Sequence, residues 1–442
     1  MPQRKKRTVV IVGCTKDSLA YGCLFADSGI STYIVDKDKR LINAIRAGRS
    51  PFRRVSFGTA IKRNVNIKKL IALEDLKEVP KKANYLILFS DATFINEEVD
   101  YSRLEKFCKD VSRRLQRGST VIFSGRVYPG TTETLSRRIL EEGSGMKAGV
   151  DFHLAYAALP RLSEKGLKEL RKKIKVIGGV TEESVKRADS LLGEISKTEN
   201  LRVSNMNSAE AVNLLEMVYC EVNRALCNEF SELCEKSGVD FVEVREAVNT
   251  RLKRFIPLHG FEKSDSKNLH FLIEETKAAG VKIRLPVAAF KINSSWVTRV
   301  LRLLKDGLKA CNKTIRRSRV SVLGVRPKAD LEGTGEKMTK ILVKTLEHRG
   351  LKVNVYDPKL SFEEVSGMGY STEKTLKQTI NGRDCIILNY PCEGFNNSTL
   401  TKTKFLLRMP ALILDTTDTI DPYAAEKVGF IYRGVGRGVW NK

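Results

Sequence analysis

The sequence predicts an α/β protein in which two doubly wound domains, each with a parallel sheet, are joined by a helical central domain with a long spine helix. Three observations lead to this prediction. Short β-branched and apolar runs alternate with helical segments over residues 1–199. The same alternation returns over residues 314–442. Between them, over residues 200–313, one stretch places its apolar side chains at steps of three and four, which puts them on one face of a helix.

Composition limits the class of protein. The chain has 442 residues, of which 42% are hydrophobic, and this is enough for two or three globular domains. Its nine cysteines show no CxxC spacing and only four histidines are present, so we predict reduced thiols and no metal site. No apolar run is long enough to cross a bilayer, and the basic start leads into a strand-like run rather than a signal sequence. These features predict a cytoplasmic protein that does not bind membranes.

The net charge of the chain is unusually high. Lysine and arginine number 78 against 52 aspartates and glutamates, which gives a net charge of +26 at pH 7. A charge of this size favours binding to a polyanion such as nucleic acid or a nucleoprotein. The alternative is a surface adapted to a hot habitat or a lysine-rich proteome, but such adaptation usually raises glutamate together with lysine.

The first predicted element is a strand at residues 8–12, which is β-branched and apolar, as buried parallel strands are. Gly13 follows it, and then come a predicted helix over residues 18–28 and a second strand over 31–35 that ends at Asp36. This order is typical of a Rossmann-like domain, in which the glycine turn and the acid bind a dinucleotide. Gly13 and Asp36 are therefore candidate cofactor ligands.

The glycine turn departs from the usual GxGxxG pattern, because it reads Gly-Cys-Thr-Lys-Asp-Ser over residues 13–18. Thr15 stands where the second glycine lets the backbone approach a pyrophosphate, and Asp17 adds negative charge near the phosphates. Lys16 offsets part of that charge and is a candidate anion ligand. We therefore predict no firm cofactor; NAD is the candidate, with a degenerate binding pattern.

The rest of the first and third domains continues the alternation of strands and helices. In the first domain, strands are predicted over residues 85–89, 119–123, 152–157 and 175–179. In the third domain, strands are predicted over residues 320–323, 353–356, 385–388 and 411–414. The third domain therefore looks like a distant copy of the first.

The spine helix is predicted over residues 207–238, with Ser208 as its N-cap and Gly238 as its left-handed stop. Its apolar face consists of Val212, Leu215, Tyr219, Val222, Leu226, Phe230 and Leu233. Such a face belongs either to an ordinary core helix or to a spine that joins two domains and two subunits. We favour the spine, and with it a homodimer or a heterodimer formed through the central helix.

Short motifs in a fixed order carry a resemblance to a known family. They are Ser124 with the Pro-Gly-Thr-Thr turn at 129–132, Pro160 and Gly166, the pairs at 209–210, 228–229 and 323–324, the segment 355–358, and the turns at 429–430 and 434–437. By these landmarks the chain resembles the UDP-glucose/GDP-mannose dehydrogenase family over nearly its whole length. The resemblance implies an NAD-binding-type domain first and a nucleotide-sugar-binding-type domain last.

Members of that family oxidise the C6 alcohol of a nucleotide sugar to a carboxylate and use two NAD per turnover. The resemblance implies a cysteine thiolate that attacks the intermediate aldehyde, so that a second hydride can leave from a thiohemiacetal. It also implies a lysine and an asparagine on the spine, which stabilise the oxyanion and a water, and glutamates in a loop that assist proton transfer.

This chain departs from the family at the catalytic positions. Ser264 stands at the cysteine position, and no cysteine occurs between Cys234 and Cys311. Asn213 and Met217 stand at the lysine and asparagine positions of the spine. A serine hydroxyl is far less acidic than a thiol, so Ser264 is a poor replacement for the nucleophile.

The loop and the third domain also differ from the family pattern. Arg161 and Lys165 stand at the two glutamate positions of the loop. Lys267 is retained next to the nucleophile position and is a candidate substrate or anion ligand. The segment over residues 331–335 lacks the arginine that the family carries there.

These departures predict a catalytically impaired relative, a pseudoenzyme that binds a polyanionic partner, nucleic acid or nucleoprotein, through a basic surface. One alternative is an active NAD-dependent UDP-sugar or GDP-mannose 6-dehydrogenase with an atypical site. Another is a regulatory partner of an active paralogue, which would pair with it through the spine.

Overall fold

The structure of the chain is a computed structural model that describes residues 7–52, 56–81, 83–95, 98–163, 165–252, 256–260, 266–325 and 334–441. It has the predicted α/β fold, with a parallel sheet near each end of the chain and a helical region between them. The chain forms two compact units. The first unit contains residues 1–217 and 270–282, and the second contains 218–269 and 283–442. The division into three domains at 199 and 313 stays a prediction.

The N-terminal part of the chain supplies ten strands and seven helices among its described residues. The strands are β1 (Thr8–Val12), β2 (Ser31–Val35), β3 (Leu70–Leu73), β4 (Tyr85–Phe89), β5 (Thr93–Ile95), β6 (Glu98–Asp100), β7 (Thr120–Ser124), β8 (His153–Ala158), β9 (Val176–Gly179) and β10 (Leu201–Arg202). The helices are α1 (Lys16–Asp27), α2 (Lys39–Arg46), α3 (Gly58–Asn66), α4 (Ser102–Ser112), α5 (Arg137–Ser144), α6 (Gly166–Leu170) and α7 (Glu182–Gly193).

The described remainder of the chain begins with helices and returns to alternating strands and helices. The helices are α8 (Met206–Ser237), α9 (Phe241–Leu252), α10 (Ser266–Ala278), α11 (Arg284–Ser294), α12 (Trp296–Ala310), α13 (Thr334–His348), α14 (Phe362–Gly367), α15 (Leu376–Ile380), α16 (Leu400–Lys404) and α17 (Pro422–Val428). The strands are β11 (Arg319–Leu323), β12 (Lys352–Tyr356), β13 (Cys385–Leu388), β14 (Leu412–Asp415) and β15 (Ile431–Gly434).

The sheet of the first unit has eight strands in the order β10-β9-β8-β7-β4-β1-β2-β3. All neighbours are parallel except β8 and β9, which are antiparallel. The strand order reverses at β1, which pairs with β2 on one side and with β4 on the other. In an open α/β sheet, ligands bind at the carboxyl ends of the strands on either side of such a reversal. The candidate crevice therefore lies beyond Val12 and Phe89.

The sheet of the second unit has five parallel strands in the order β12-β11-β13-β14-β15. Its strand order reverses at β11, as the first sheet reverses at β1. Both sheets have buried central strands of Val, Ile and Leu, because helices cover both faces of a doubly wound sheet. The prediction that the third domain is a distant copy of the first is consistent with this shared topology.

The predicted spine is one continuous helix, α8, of 32 residues. At a rise of about 1.5 Å per residue it is roughly 48 Å long. The predicted stop at Gly238 agrees with its φ of +68°. The predicted N-cap at Ser208 is wrong, since the helix begins at Met206 and the Asn205 side chain accepts from the backbone N–H of Ser208 at 2.8 Å.

The apolar face of α8 is largely exposed. Leu215, Tyr219, Leu226, Phe230 and Leu233 are between 44% and 69% exposed. A core helix would bury these side chains, so this face of α8 does not belong to the core of the single chain. Among the described residues, no helix has the length and apolar character needed to span a bilayer.

Candidate functional site

The turn after β1 is built around Gly13. Its φ is +93°, a conformation that side chains with a Cβ rarely adopt. A Cβ on Gly13 would stand 2.6 Å from the carbonyl oxygen of Phe89, at the end of β4, and 2.9 Å from the Phe107 ring. The one glycine of the pattern that this chain retains is therefore the one that the fold cannot replace.

The second and third glycine positions are occupied by a helix N-cap. The Thr15 hydroxyl accepts from the backbone N–H of Ser18 at 3.0 Å, and the Ser18 hydroxyl accepts from the N–H of Thr15 at 2.7 Å. This reciprocal capping box begins α1. The φ of Thr15 is −112°, so the position does not need a glycine. The turn that departs from GxGxxG is well formed, and the Thr15 side chain is folded onto its own helix.

Asp17 holds the loop that follows β8. Its Oδ1 accepts from the backbone N–H of Leu162 at 2.8 Å. The Tyr21 hydroxyl donates to the carbonyl of Pro160 at 2.9 Å, and the Lys173 ammonium donates to the carbonyl of Arg161 at 3.0 Å. The first two bonds hold residues 160–162 against α1, and the third ties the same loop to the segment after α6. The Asp17 carboxylate is therefore engaged by the 160–162 loop. Lys16, the candidate anion ligand, is the half-buried first residue of α1.

Asp36 lies at the end of β2, where a ribose-binding acid is expected. Its Oδ2 accepts from the backbone N–H of Cys14 at 2.7 Å, and its Oδ1 accepts from the N–H of Asp38 at 3.0 Å. The Arg103 guanidinium approaches Oδ2 at 3.5 Å. Gly13, after β1, and Asp36, after β2, thus lie close together, and Arg103 is an additional residue of this crevice. The cofactor-binding roles of Gly13 and Asp36 stay predictions.

A polar cluster lies at the ends of β7 and β8. The Asn213 side-chain amide, on α8, donates to the Tyr156 hydroxyl at 2.7 Å, and that hydroxyl donates to the carbonyl of Gly125. Burial raises the pKa of Tyr156, so the phenol remains protonated at neutral pH. Asn213, which stands at the family's lysine position, therefore joins a neutral hydrogen-bond network.

Arg161, which stands at a family glutamate position, donates to Asp91 Oδ2 at 2.8 Å. Asp91 Oδ1 accepts from the backbone N–H of Arg126 at 2.7 Å. Asp91 and Ser90 follow β4 at the reversal of the sheet. The Ser90 hydroxyl is buried and has no hydrogen-bond partner among the described residues, which is unusual for a buried polar group.

Glu210, on α8, binds the Pro-Gly-Thr-Thr turn. Its two carboxylate oxygens accept from the backbone N–H groups of Gly130 and Thr132 at 2.6 and 2.9 Å. The residue is fully buried, and burial raises its pKa above the usual value. The motif pairing that indicated the family resemblance is therefore a direct contact between α8 and this turn.

The other predicted site residues are less completely placed. Met217 is half-buried on α8, and Lys165 is exposed immediately before α6. Lys267 lies in α10, but its side chain is outside the described residues, and so is Ser264. The segment over 331–333 also lies outside the described residues. The roles assigned to these residues stay predictions.

The second unit has a crevice of the same kind after β11. Gly324 has a φ of +85°, and a Cβ on it would stand 2.7 Å from Tyr390. Asp357 lies at the end of β12 and accepts from the N–H of Val325 at 3.1 Å. The Asn389 side chain, which follows β13, donates to the Gly324 carbonyl at 3.2 Å and to the Thr339 hydroxyl at 2.8 Å. These two hydrogen bonds close the turn from the side of β13.

The cysteines and potential metal ligands show no further centre. No described group of three or more His, Cys, Asp or Glu side chains could hold a metal ion. All nine cysteines are free thiols, and Cys220 is the exposed one. Burial is the main cause that raises the pKa of Cys14, next to the crevice, to about 12, so that thiol is not a nucleophile.

Sequence reasoning missed Arg103, Tyr156 and Asp91. Arg103 lies 67 positions from Asp36, and Asp91 lies 70 positions from Arg161, so no local spacing pairs them. The signal that could have indicated Asp91 is its place directly after a buried strand, where polar residues of a parallel sheet meet.

Comparison with known families gives three adjacent matches. Residues 7–196 match the NAD binding domain of the UDP-glucose/GDP-mannose dehydrogenase family, 207–295 match its central domain, and 321–422 match its UDP binding domain. A Pyrococcus horikoshii protein named UDP-N-acetyl-D-mannosamine dehydrogenase is 26% identical over 97% of this chain and 99% of its own length. A Methanocaldococcus jannaschii protein of the same name is 24% identical over 98% and 97% of the two chains.

Solved structures agree with these matches. The Pyrococcus horikoshii UDP-D-ManNAc dehydrogenase structure has a TM-score of 0.87 and 25% identity, and the match covers 98% of this chain and 100% of that one. A UDP-glucose dehydrogenase from Pyrobaculum islandicum has the same fold, with a TM-score of 0.83, 20% identity and 99% coverage of both chains.

These findings correct the functional predictions made from sequence. The predictions of a pseudoenzyme and of a nucleic-acid-binding protein are wrong, because relatives that match the chain from end to end are named as dehydrogenases. The physical reason is visible at the glycine turn. Thr15 and Ser18 replace two glycines with a capping box, so the altered pattern is not evidence of a lost site. A net charge of +26 does not by itself identify a partner.

The three matched domains follow one another in family order and together span most of the chain. The fold, the reversal of strand order at β1 and the contact between Glu210 and the 130–132 turn are consistent with that order. The chain therefore belongs to the UDP-glucose/GDP-mannose dehydrogenase family.

Proposed function

We propose that the chain is an NAD-dependent dehydrogenase that oxidises the C6 alcohol of a UDP-N-acetylhexosamine. The observation that carries this proposal is the crevice after β1, where Gly13 and Asp36 lie together beside a well-formed helix start. The substrate class comes from the end-to-end relatives, which are named for UDP-N-acetyl-D-mannosamine.

The crevice residues fit a dinucleotide. The φ of +93° at Gly13 lets the turn after β1 close tightly against Phe89, and the buried Ser90 hydroxyl that follows β4 has no hydrogen-bond partner among the described residues. The turn and the first turn of α1 would hold the pyrophosphate, and Asp36 would hold the ribose. When bound, NAD supplies the acceptor for the hydride that leaves the sugar alcohol.

The polar cluster beside the crevice orients the surrounding loops. Asn213 and Tyr156 hold the Gly125 carbonyl, and Asp91 holds Arg161 together with the N–H of Arg126. Arg161 and Lys165 replace two glutamates, which makes this loop more positive than the family pattern. A positive loop favours a substrate that carries phosphates.

We further propose that the reaction stops at the aldehyde. The family route to the carboxylate uses a thiolate, and the chain has no cysteine between Cys234 and Cys311. Oxidation of the alcohol to the aldehyde removes one hydride and one proton and needs no covalent intermediate. The expected stoichiometry is therefore one NADH and one proton for each sugar oxidised.

The test is an assay of the purified chain with NAD and a panel of UDP-N-acetylmannosamine, UDP-N-acetylglucosamine, UDP-glucose and GDP-mannose. NADH is measured by absorbance and the sugar product by mass spectrometry. One NADH per sugar with an aldehyde product supports the whole proposal. Two NADH and a carboxylate overturn the proposed stop at the aldehyde, and no NADH from any sugar with folded protein overturns the proposed activity.

We also propose a homodimer formed through the exposed face of α8. In the second unit, Tyr219, Leu226, Phe230 and Leu233 are each more than 40% exposed on one helix face. Such a stripe is costly to leave in water, and the same face on a second copy would cover it symmetrically.

The test of the homodimer is the molar mass measured by light scattering. Phe230→Asp, which places a charge in the stripe, should shift the mass towards that of one chain. Glu229→Gln, at the neighbouring exposed position, is the matched control and should keep the dimer. A mass of one chain for the unmodified protein contradicts the proposal.

A further inference from the structure

The ribose end of the first crevice contains an arginine. Arg103, on α4, places its guanidinium 3.5 Å from Asp36 Oδ2. The same guanidinium lies over the Phe107 ring, 5.2 Å from the ring centre, in the geometry of a cation–π contact. Phe107 in turn lies against the Gly13 turn. Arg103 is therefore positioned over the crevice from a neighbouring helix.

The Asp36 carboxylate is largely engaged by the protein itself. Oδ2 accepts from the N–H of Cys14 and Oδ1 from the N–H of Asp38, at 2.7 and 3.0 Å. Its side chain is 11% exposed, whereas the Arg103 side chain is 46% exposed. Of the two groups in this ion pair, the guanidinium is therefore the more accessible to a ligand.

The other basic side chains near Asp36 are paired with other acids. Lys37 donates to Asp75 at 2.8 Å, and Arg40 donates to Asp38 at 2.9 Å. Among the described residues, Arg103 is the basic side chain that forms an ion pair with Asp36 itself. A ligand anion beside Asp36 would thus find Arg103 as the cation that already contacts this acid.

In dinucleotide-binding folds, an acid at the end of the second strand favours the free ribose hydroxyl of NAD, and a nearby arginine accommodates the 2′-phosphate of NADP. This crevice contains both groups in contact. A phosphate would offer Arg103 a bidentate partner, which is a stronger hydrogen-bond geometry than the 3.5 Å approach to Asp36. Arg103 also neutralises part of the Asp36 charge that would repel the phosphate.

We propose that Arg103 determines cofactor specificity and that the crevice accepts a 2′-phosphorylated dinucleotide, NADP, as well as NAD. The inference rests on the proposed function, because it requires that the crevice after β1 binds a dinucleotide. In this proposal, Arg103 binds the 2′-phosphate of NADP and Asp36 binds the ribose of NAD.

The test is equilibrium binding of NAD and NADP to the full chain, measured by calorimetry without any sugar. We expect the two dissociation constants of the unmodified protein to lie within about tenfold of each other. Arg103→Ala should weaken NADP binding by about tenfold or more and change NAD binding by less than about threefold. Arg103→Lys should restore part of the NADP affinity.

Lys109→Ala is the matched control, because it removes one exposed positive charge from the same helix at a residue that pairs with Glu105. It should leave both affinities unchanged. If the unmodified protein binds NAD but rejects NADP by more than about hundredfold, or if Arg103→Ala weakens both equally, the inference is overturned and the proposed function stands. If neither dinucleotide binds to folded protein, both are overturned.

Discussion

The two crevices of the molecule are built from the same local arrangement. In the first unit, Gly13 has a φ of +93° and donates its N–H to the Val35 carbonyl at 2.9 Å. In the second, Gly324 has a φ of +85° and donates to the Tyr356 carbonyl at 2.8 Å. In each unit the acid after the next strand accepts from the residue that follows the glycine.

The crevices differ in what surrounds the acid. Asp357 is 4% exposed, and Asn389 closes the Gly324 turn from the neighbouring strand. Beside Asp36 there is an exposed arginine, and the corresponding neighbouring strand, β4, is followed by Ser90, whose buried hydroxyl has no hydrogen-bond partner among the described residues. The same backbone arrangement therefore occurs in two surroundings. Beside Gly324 the polar side chain of the neighbouring strand is hydrogen-bonded to the turn, and beside Gly13 the hydroxyl in that place has no partner among the described residues.

The two units also differ in the partner of a buried cationic side chain. Arg299, in the second unit, pairs with Glu235 at 2.6 Å, and both side chains are nearly inaccessible. Lys175, in the first unit, is fully buried, and its ammonium donates to the Lys173 carbonyl at 3.0 Å. Burial is the main cause that lowers the pKa of Lys175 to about 8, and the charge of Arg171 adds to it.

The largest effects are expected for substitutions at the two glycine turns, which should lower stability alike but differ in their effect on NAD binding. Gly13→Ala and Gly324→Ala should each lower the free energy of unfolding by about 3 kcal/mol, because both combine a strained φ with a steric overlap. NAD binding should be lost in Gly13→Ala and kept in Gly324→Ala. Urea denaturation and calorimetric titration with NAD measure the two effects.

Gly193→Ala is the control for both variants. Gly193 lies in α7, and a Cβ there meets no atom within 4 Å, so the change should be neutral or slightly stabilising. Loss of NAD binding in Gly324→Ala with retention in Gly13→Ala would reverse the roles assigned to the two crevices.

The second prediction concerns the buried cations. The folded chain holds the proton of Lys175 less tightly than the unfolded chain, since the pKa falls from 10.5 to about 8. Stability of the first unit should therefore rise as the pH increases from about 8 towards 10.5. Lys175→Met, which removes the charge at similar volume, should stabilise by about 2 kcal/mol at neutral pH and show a smaller gain at high pH.

Urea denaturation at a series of pH values checks this expectation. Arg299→Met is the contrasting variant, because it removes the 2.6 Å ion pair of the buried Glu235 and should destabilise by about 3 kcal/mol. If Lys175→Met destabilises at neutral pH, the burial of the Lys175 charge does not cost stability as proposed here.

A smaller effect is expected at the clamp between α1 and the 160–162 loop, which is a feature of the first crevice. Asp17→Ala removes the acceptor for the Leu162 N–H and should cost about 1 kcal/mol of stability. Asp17→Asn keeps an acceptor oxygen and should cost less. Chemical denaturation measures both, and equal stability of all three proteins would contradict the proposed role of the clamp.

The smallest effect is expected at the exposed ion pairs that flank the two acids. The Lys37–Asp75 pair at 2.8 Å and the Lys359–Glu393 pair at 3.9 Å lie near the two strand ends. Double-mutant cycles should give about 0.5 kcal/mol or less for each, because water screens such pairs. A coupling above about 1 kcal/mol in only one unit would reveal a difference between the crevices that their geometry does not show.

The fold could be predicted from the sequence because the spacing of apolar residues along strands and helices reflects which side chains are buried. The positions of Gly13 and Asp36 could be predicted because they directly follow the first two strands. The sequence was insufficient at the glycine turn. Thr15 and Ser18 form a capping motif that is readable from sequence, but we interpreted the pair only as missing glycines. The partner of Asp17 lies 145 residues away, so its engagement could not be foreseen.

The same limit applies to the spine and to the charge. The spacing of apolar residues on α8 located a helix face correctly, but spacing does not tell whether a face is covered by the same chain or left exposed. Composition gave the sign of the net charge, and that sign led to a partner class that the relatives do not support. Contacts within the folded chain decide the exposure of α8, and the comparison with relatives decides against the partner class suggested by the charge.

The chain passes from one compact unit to the other three times: between residues 282 and 283, inside α10 between residues 269 and 270, and inside α8 between Met217 and Val218. Cutting the gene at the boundary inside α8 would therefore sever a helix in mid-course, and up to four amides and four carbonyls would lose their intrahelical partners on the two sides of the cut. Separate expression of the halves should accordingly yield fragments with frayed ends, and truncation designs should keep the whole of α8 on one fragment.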